Sequence, residues 1–581
     1  MDDEMMMIKP APEAPVEEAP AEEAPVEEAP APEAPVAEEA PAPEAPVAEE
    51  KPAEEQPAQE EGQLVAEAEE EVKPEDPAKP EEPAGDPAPS GGPSAPSEPS
   101  APSEPEGPST VDKLREYFSK MVVLKGQGAE LFASLSVPSY IRDWFLMRFA
   151  NEDGTLNKEF ALAKIKGIVP DRKAWPILLD QMINEGKQVK FLGRIKIKTD
   201  VSKGEIHFAL PDYDVDFKET LIQPVDWAKI KDKILTEDEI WGVVTLEYRY
   251  FTKVNKICLV DFAAFRPYKI DTELYKAASS HFNVHEWIDV LLGAMDYNAA
   301  GFKNEEEKLA MLTRLLPFVQ KRVNLIELAP KGTGKSYVFS AVSKFGWLST
   351  GGTMTRAKLF YDMSKNQTGL VAHYDYVALD EVSTIRFGDI SEMQGSMKGF
   401  LEQGMFSVGV KRATADAGLI FLGNIPKANM SVDVNMFQTL PELFNDSALV
   451  DRIHGFIEGW KIPRMDEKLK AKGWALNTEY FSEILHALRE DPSYTAEVNA
   501  RLQVGKGDTR DITAIKRIAE AYLKLLFPYV SEEHPVSDED FEKYCLAPAK
   551  HMRGIIKKQL AIMDIEYAEK PLAEVTMRKD S

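Results

Sequence analysis

Val323-Asn-Leu-Ile-Glu-Leu328 runs straight into Ala329-Pro-Lys-Gly-Thr-Gly-Lys-Ser336, and a helical pattern opens at Tyr337-Val-Phe. An apolar strand, a glycine loop and a helix start, in that order, make the first half of a parallel βαβ unit. The loop supplies what a polyphosphate needs. Gly332 and Gly334 let the backbone wrap an anion, Thr333 lies between them in the cradle, and amides at the helix N-terminus face the charge. Lys335 is suited to neutralise β- and γ-phosphates, and Ser336 to ligate magnesium. The implied cofactors are ATP and Mg2+. Ala329 stands where the usual pattern has its first glycine, outside the cradle proper.

Downstream, Tyr376-Val-Ala-Leu-Asp380-Glu381 reads as a buried strand ending in two carboxylates. Asp380 can hold the magnesium shell and Glu381 can act as general base on the attacking water. Such a pair is common at strand ends; behind a phosphate loop it becomes specific. A further strand, Gly418-Leu-Ile-Phe-Leu-Gly-Asn424, ends in an amide that either orients the same water or is a plain turn residue before Ile425-Pro426. Arg452, in Ala448-Leu-Val-Asp-Arg452, is placed to meet a neighbouring subunit's γ-phosphate or to make a surface ion pair. Arg510 follows Gly507 at a helix start and can reach back to the nucleotide from a lid, with Arg517 as the competing candidate. Between the carboxylates and Asn424, Met405 to Gly418 suggests a hairpin with Lys411 and Arg412 at its tip. That tip is either a solvated charged turn or a loop projecting into a pore toward a polyanion. The motif order is that of an AAA+ ATPase: an α/β P-loop fold, with a parallel-sheet core over residues 304–465, a helical lid over 466–530 and a helical extension over 531–581.

Upstream of the core, helical periodicity in Leu114, Tyr117, Phe118 and Met121 and β-rich stretches at 189–197, 206–210, 241–251 and 257–262 predict an α+β domain over 111–303. Residues 1–110 differ in kind. By count they hold 32 acidic and 4 basic side chains and 25 of the 41 prolines, in a ten-residue theme such as Ala11-Pro-Glu-Ala-Pro-Val-Glu-Glu-Ala-Pro20. With few large apolar groups they are expected to form a disordered acidic tail, a solvating spacer or a docking arm for a basic partner. The net charge of −30 therefore resides mainly in the tail and does not exclude a nucleic-acid partner for the folded part. Cys258 and Cys545 are too few for a disulfide framework or a cysteine zinc site. No run reaches the roughly 20 apolar residues of a membrane span, so a soluble, cytoplasmic protein without membrane attachment is expected.

The run from Glu116 to about Phe527 resembles the BrxL family, the Lon-like AAA+ proteins of BREX phage-defence systems. The likeness rests on Tyr117-Phe-Ser-Lys-Met-Val-Val-Leu-Lys125, Val137-Pro-Ser-Tyr, Glu286-Trp-Ile-Asp-Val-Leu-Leu, Arg314-Leu-Leu-Pro, Asn324 to Ser336, Ser349-Thr-Gly-Gly-Thr, Asp380-Glu-Val, Leu401 to Gly409 and Gly423-Asn424. It implies Walker A at Lys335 and Ser336, Walker B at Asp380 and Glu381, sensor 1 at Asn424, the arginine finger at Arg452 and sensor 2 at Arg510. The ATPase part is also similar to the mini-chromosome maintenance helicases, whose presensor hairpin points a basic tip at DNA; Lys411 and Arg412 occupy that place. Resemblance thus implies a DNA partner, a homo-oligomeric ring expected to be hexameric, and other defence-system proteins as associates. Longer members end in a Lon-protease-like domain, for which 53 residues beyond Pro528 leave no room, so protease activity is not expected. Asn445-Asp-Ser-Ala448 imitates a Lon-type nucleophile turn from within the ATPase. The alternative to DNA work is a Lon-like protein unfoldase serving a separate peptidase. Basic tips favour DNA, while Met405-Phe406 keeps the alternative open.

Overall fold

The computed structural model describes residues 108–578 apart from 128–130, 133–136, 152, 201, 232–238, 252–254 and 365. The expected acidic tail lies outside them, apart from its last residues.

The N-terminal part starts with a short helix at Thr110–Phe118, where the apolar periodicity predicts one, followed by β1 (Val122–Lys125) and helix α1 (Ser139–Phe149). Its sheet is built from β2 (Val189–Asp200), β3 (Glu205–Ala209), β4 (Thr220–Leu221), β5 (Glu239–Tyr250) and β6 (Asn255–Ala264) in the order β3-β2-β5-β6-β4. Alternation in β2 sets its inward face: Val189, Phe191, Ile195 and Ile197 are buried while Lys190 and Lys198 are exposed. The β-rich stretches expected there are strands, most of them a few residues longer than the periodicity predicts. All pairings are antiparallel except β4 with β6.

Helix α2 (Val284–Ala294) starts at a capping box formed by Asn283 and Glu286. The expected boundary at residue 303 puts it with the N-terminal domain. Its buried Trp287, Ile288, Leu291 and Leu292 share one core with Phe118 and Val122 and with Leu325, Val338 and Leu523, and Trp287 Nε1 donates to Leu525 O at 3.1 Å. An apolar stripe of that spacing needs a facing helix, and Thr509–Leu526 supplies it.

The central sheet follows: β7 (Leu325–Ala329), helix α3 (Lys335–Ala341), β8 (Gly346–Thr350) and β9 (Tyr376–Asp380). Helix α4 (Ile390–Gln403) leads into a hairpin of β10 (Met405–Val408) and β11 (Lys411–Thr414), after which come β12 (Gly418–Asn424) and β13 (Gly455–Glu458). The order is β13-β7-β12-β9-β8, all parallel. Every residue of β7 and β9 is buried, as covered faces on both sides require. Beyond it, β14 (Gly473–Leu476) pairs antiparallel with β1, tying the N-terminal part to the segment that follows the central sheet. Helices α5 (Thr478–Leu488), α6 (Thr509–Leu526) and α7 (Ala547–Met563) complete the body. The expected C-terminal extension is integral to it. Arg553 of α7 is buried, with Nε on Asp511 at 2.8 Å and an ion pair to Asp451 at 2.7 Å. Among the described residues no helix is long and apolar enough to cross a membrane.

Candidate nucleotide site

Strand β7 lies inside the sheet, between β13 and β12, and the glycine loop leaves its carboxyl end. In open parallel sheets that edge is where ligands sit. Gly334 takes φ +76°, and a Cβ there would fall 2.7 Å from Tyr297 Oη, so both conformation and space demand glycine. Lys335 and Ser336 then begin α3.

The structure brings most of the expected residues together. Lys335 Nζ donates to Asn424 Oδ1 at 3.1 Å and lies 3.4 Å from Pro330 O. Ser336 Oγ donates to Asp380 Oδ2. Asp380 Oδ1 accepts the Glu381 amide at 2.8 Å, and Glu381 turns off the strand end in a left-handed conformation at φ +52°, exposed to water. Burial pulls the Lys335 ammonium below the ordinary lysine range; Glu327, Asp380 and Glu381 oppose that shift and Arg314 adds to it. A polyanion arriving there would supply further negative charge and hold the lysine protonated. The Ser336 hydroxyl and Asp380 carboxylate form the hard oxygen pair that suits Mg2+.

Two residues beneath the loop lie in stretches that carry the family likeness, but the sequence reading gives neither a role. Arg314 and Glu327 are fully buried and pair through two hydrogen bonds of 2.9 and 2.6 Å. Arg314 also donates to Thr333 O at 2.8 Å and to Thr333 Oγ1 at 3.3 Å. Thr333 therefore turns its side chain and carbonyl inward, and only its amide side is left for a phosphate. The signal for the pair is a charged residue, Glu327, inside an otherwise apolar strand: burial of a lone carboxylate requires a partner.

Arg452 and Arg510 gather elsewhere, on one carboxylate. Arg452 contacts Glu402 Oε2 through Nε at 2.9 Å and a terminal nitrogen at 2.8 Å; Arg510 contacts Oε1 at 3.3 and 3.2 Å. Arg510 also donates to Asp451 Oδ2 at 3.0 Å. Asp451 and Glu402 thus hold Arg510, the residue expected to reach back to the nucleotide, beside Arg452. The competitor Arg517 packs against His454, at 2.9 Å.

The hairpin exists but its tip differs from the expectation. Val408 faces Lys411, which leaves Gly409 and Val410 as a two-residue turn. Val410 is 89% exposed, and Lys411 and Arg412 follow it on the returning strand, both exposed. Phe406 and Val408 are buried and anchor the base. A second, shorter hairpin, Tyr361–Asp362 with Gln367–Thr368, lies alongside: Lys411 Nζ is 5.9 Å from the Tyr361 ring. Ser447 of the Lon-like turn donates to Asp564 at 2.7 Å.

Comparison with known proteins agrees with this geometry. Residues 257–573 match the family model described as Lon-like protease BrxL-like, ATPase domain. Residues 116–248 match the one described as BREX system Lon protease-like protein BrxL N-terminal. Among curated relatives, the Lon-like protease BrxL of Escherichia coli O9:H4 (strain HS) is 31% identical over 459 residues, covering 77% of this chain and 64% of the relative. That of Bacillus cereus (strain H3081.97) is 29% identical over 464 residues, covering 77% and 66%. The chain thus spans just under two thirds of the length of these relatives. With an ATPase-domain match over more than half its length and an N-terminal match before it, the chain belongs to the BrxL family.

Proposed function

We propose that this chain works as a ring-forming AAA+ ATPase that binds DNA and couples ATP hydrolysis to remodelling or translocating it, in BREX-like antiviral defence. The observation that carries the reading is the separation of two charge sets. Lys335, Ser336, Asp380 and Asn424 meet at the end of the central sheet, while Arg452 and Arg510 are held together on Glu402. Phosphoryl transfer develops charge that one lysine and a metal do not fully neutralise, and an arginine from a neighbour supplies the rest. In this reading Ser336 and Asp380 hold Mg2+, which neutralises phosphate charge. Glu381 takes the proton of the attacking water, Asn424 orients that water, and Arg452 with Arg510 meets the phosphate of the next subunit. The rings so formed are homo-oligomers. Lys411 and Arg412 then face the channel and its DNA.

The test is the ATPase rate measured alone, with DNA and with an unfolded protein, alongside mixtures of Arg452→Ala and Glu381→Gln subunits. Stimulation by DNA and partial recovery in the mixtures are expected. A rate indifferent to DNA yet raised by unfolded polypeptide would favour a second reading, an unfoldase serving a separate peptidase. One observation speaks for that alternative: the outermost hairpin residue, Val410, is apolar and 89% exposed, with Met363 and Met405 each 47% exposed.

A further inference from the structure

A buried polar cluster joins the N-terminal part to the phosphate-loop helix. Its members are Lys125 from β1, Ser139, Arg142 and Asp143 from α1, Asp296 from the turn after α2, Tyr337 from α3 and Thr478 from α5. Lys125 Nζ lies 2.6 Å from Asp296 Oδ1, 3.1 Å from Asp143 and 2.8 Å from Thr478 Oγ1. Arg142 reaches the other Asp296 oxygen at 3.1 Å and the Tyr337 hydroxyl at 3.0 Å. The Tyr337 hydroxyl donates to that same Asp296 oxygen and meets Ser139 Oγ at 2.5 Å. Two cations and two carboxylates balance, and Lys125 with Asp143 forms the buried pair from which removal of either partner leaves an uncompensated charge.

Placement gives the cluster its meaning. Tyr337 directly follows Ser336, so a shift of the loop moves its ring. Asp296 is held at φ +69°, a left-handed conformation that its neighbours must maintain. The next residue, Tyr297, lies under Gly334 on the other side, its hydroxyl buried without a hydrogen-bond partner. One dipeptide therefore meets the loop and its helix at two points, at Gly334 and at Tyr337. An unpaired buried hydroxyl is unfavourable, and any loop movement that brings a backbone group onto it lowers that cost. Buried ionic clusters add little stability compared with apolar packing; their better-attested use is to fix one arrangement against others.

We infer that Asp296 and Tyr337 couple the packing of α1 against the body to occupancy of the phosphate loop, so that the N-terminal domain senses and biases nucleotide binding. This rests on the nucleotide reading above. Asp296 is a positioning residue here, acting through Tyr337.

Hydrogen exchange on the full chain tests it, with magnesium AMP-PNP as the probe. Exchange of amides in α1 should change by about tenfold on nucleotide binding in the wild type, within the usual range of coupling between two sites. Tyr337→Phe, which removes only the hydroxyl, should still bind AMP-PNP but show no such change in α1. By reciprocity, Arg142→Ala should shift AMP-PNP affinity by a similar factor although it lies outside the pocket. Binding of AMP-PNP with unchanged α1 exchange in the wild type, or the same response in Tyr337→Phe, overturns the inference and leaves the nucleotide reading standing. Absence of AMP-PNP binding in the wild type would fell the nucleotide reading itself, and the inference with it.

Discussion

Two charged clusters in this molecule are built on opposite principles. Around the phosphate loop, polar groups find partners within the chain: Lys335 with Asn424, Ser336 with Asp380, Arg314 with Glu327. At the other cluster, Arg452 and Arg510 share Glu402, a carboxylate one-third exposed, and Arg510 also holds Asp451. The first arrangement is pre-organised to receive a ligand. The second presents more cationic donors than its acceptor needs, at a partly open surface, and so suits an anion brought by another molecule. The difference teaches which charges the chain satisfies by itself and which it leaves partly open.

The largest effect should come from attacking the first cluster. Lys335→Ala should bring nucleotide binding below detection, whereas Glu381→Gln should bind ATP and fail to turn it over, since only the base is lost. Equal ATP affinity for Lys335→Ala and wild type in a titration would remove the phosphate loop from the site. Next comes the second cluster: Arg452→Ala should bind ATP yet hydrolyse it about 10³-fold or more slowly. Mixing it with Glu381→Gln should restore part of the rate, because each mutant supplies what the other lacks. Normal turnover by Arg452→Ala alone would place the trans cation elsewhere and break the comparison.

Smaller in reach is the support beneath the loop. Arg314→Leu leaves Glu327 buried without its partner and should cost about 3–5 kcal/mol of stability, read as a lowered denaturation midpoint. The double change Arg314→Leu with Glu327→Leu should recover much of that loss while still weakening ATP binding through the freed Thr333. If the double variant is no more stable than the single, the pair is not what the loop stands on. The mildest effect should be at the hairpin. Replacing Lys411 and Arg412 with alanine should flatten the salt dependence of DNA binding by about 0.7–0.9 in log–log slope for each phosphate no longer neutralised. An unchanged slope in anisotropy titrations would take the hairpin out of the DNA path and raise the unfoldase reading.

Legibility in the sequence depends on range along the chain. The glycine loop, the Asp380-Glu381 strand end and the strand to Asn424 are local patterns, and the structure gathers them as their order implies. The pairing of Arg314 with Glu327 is hidden because a residue beside a helix and another inside an apolar run give no sign of facing each other. Arg510 escapes for a related reason. Its helix start is visible, but the direction of its side chain depends on Asp451 and Glu402, which lie far off in sequence. At the hairpin, inward Phe406 and Val408 fix the register and so assign the turn to Gly409-Val410, one step before the basic pair. The partners of helix α2 stay hidden because amphipathic spacing reports that a partner exists, not which one.

The pairing of β1 with β14 bears on how the molecule can be cut or recombined. Residues 122–125 hydrogen-bond to residues 473–476, far apart in the sequence. A fragment begun after β1, such as the stretch matched by the ATPase-domain model alone, would leave the amides and carbonyls of β14 open along one edge, a template for pairing between copies. Such a fragment should precipitate or swap strands unless residues 110–125 are kept or supplied as a separate peptide. Grafting the N-terminal segment of one relative onto the motor of another should succeed only when both partners of that two-stranded ribbon travel together.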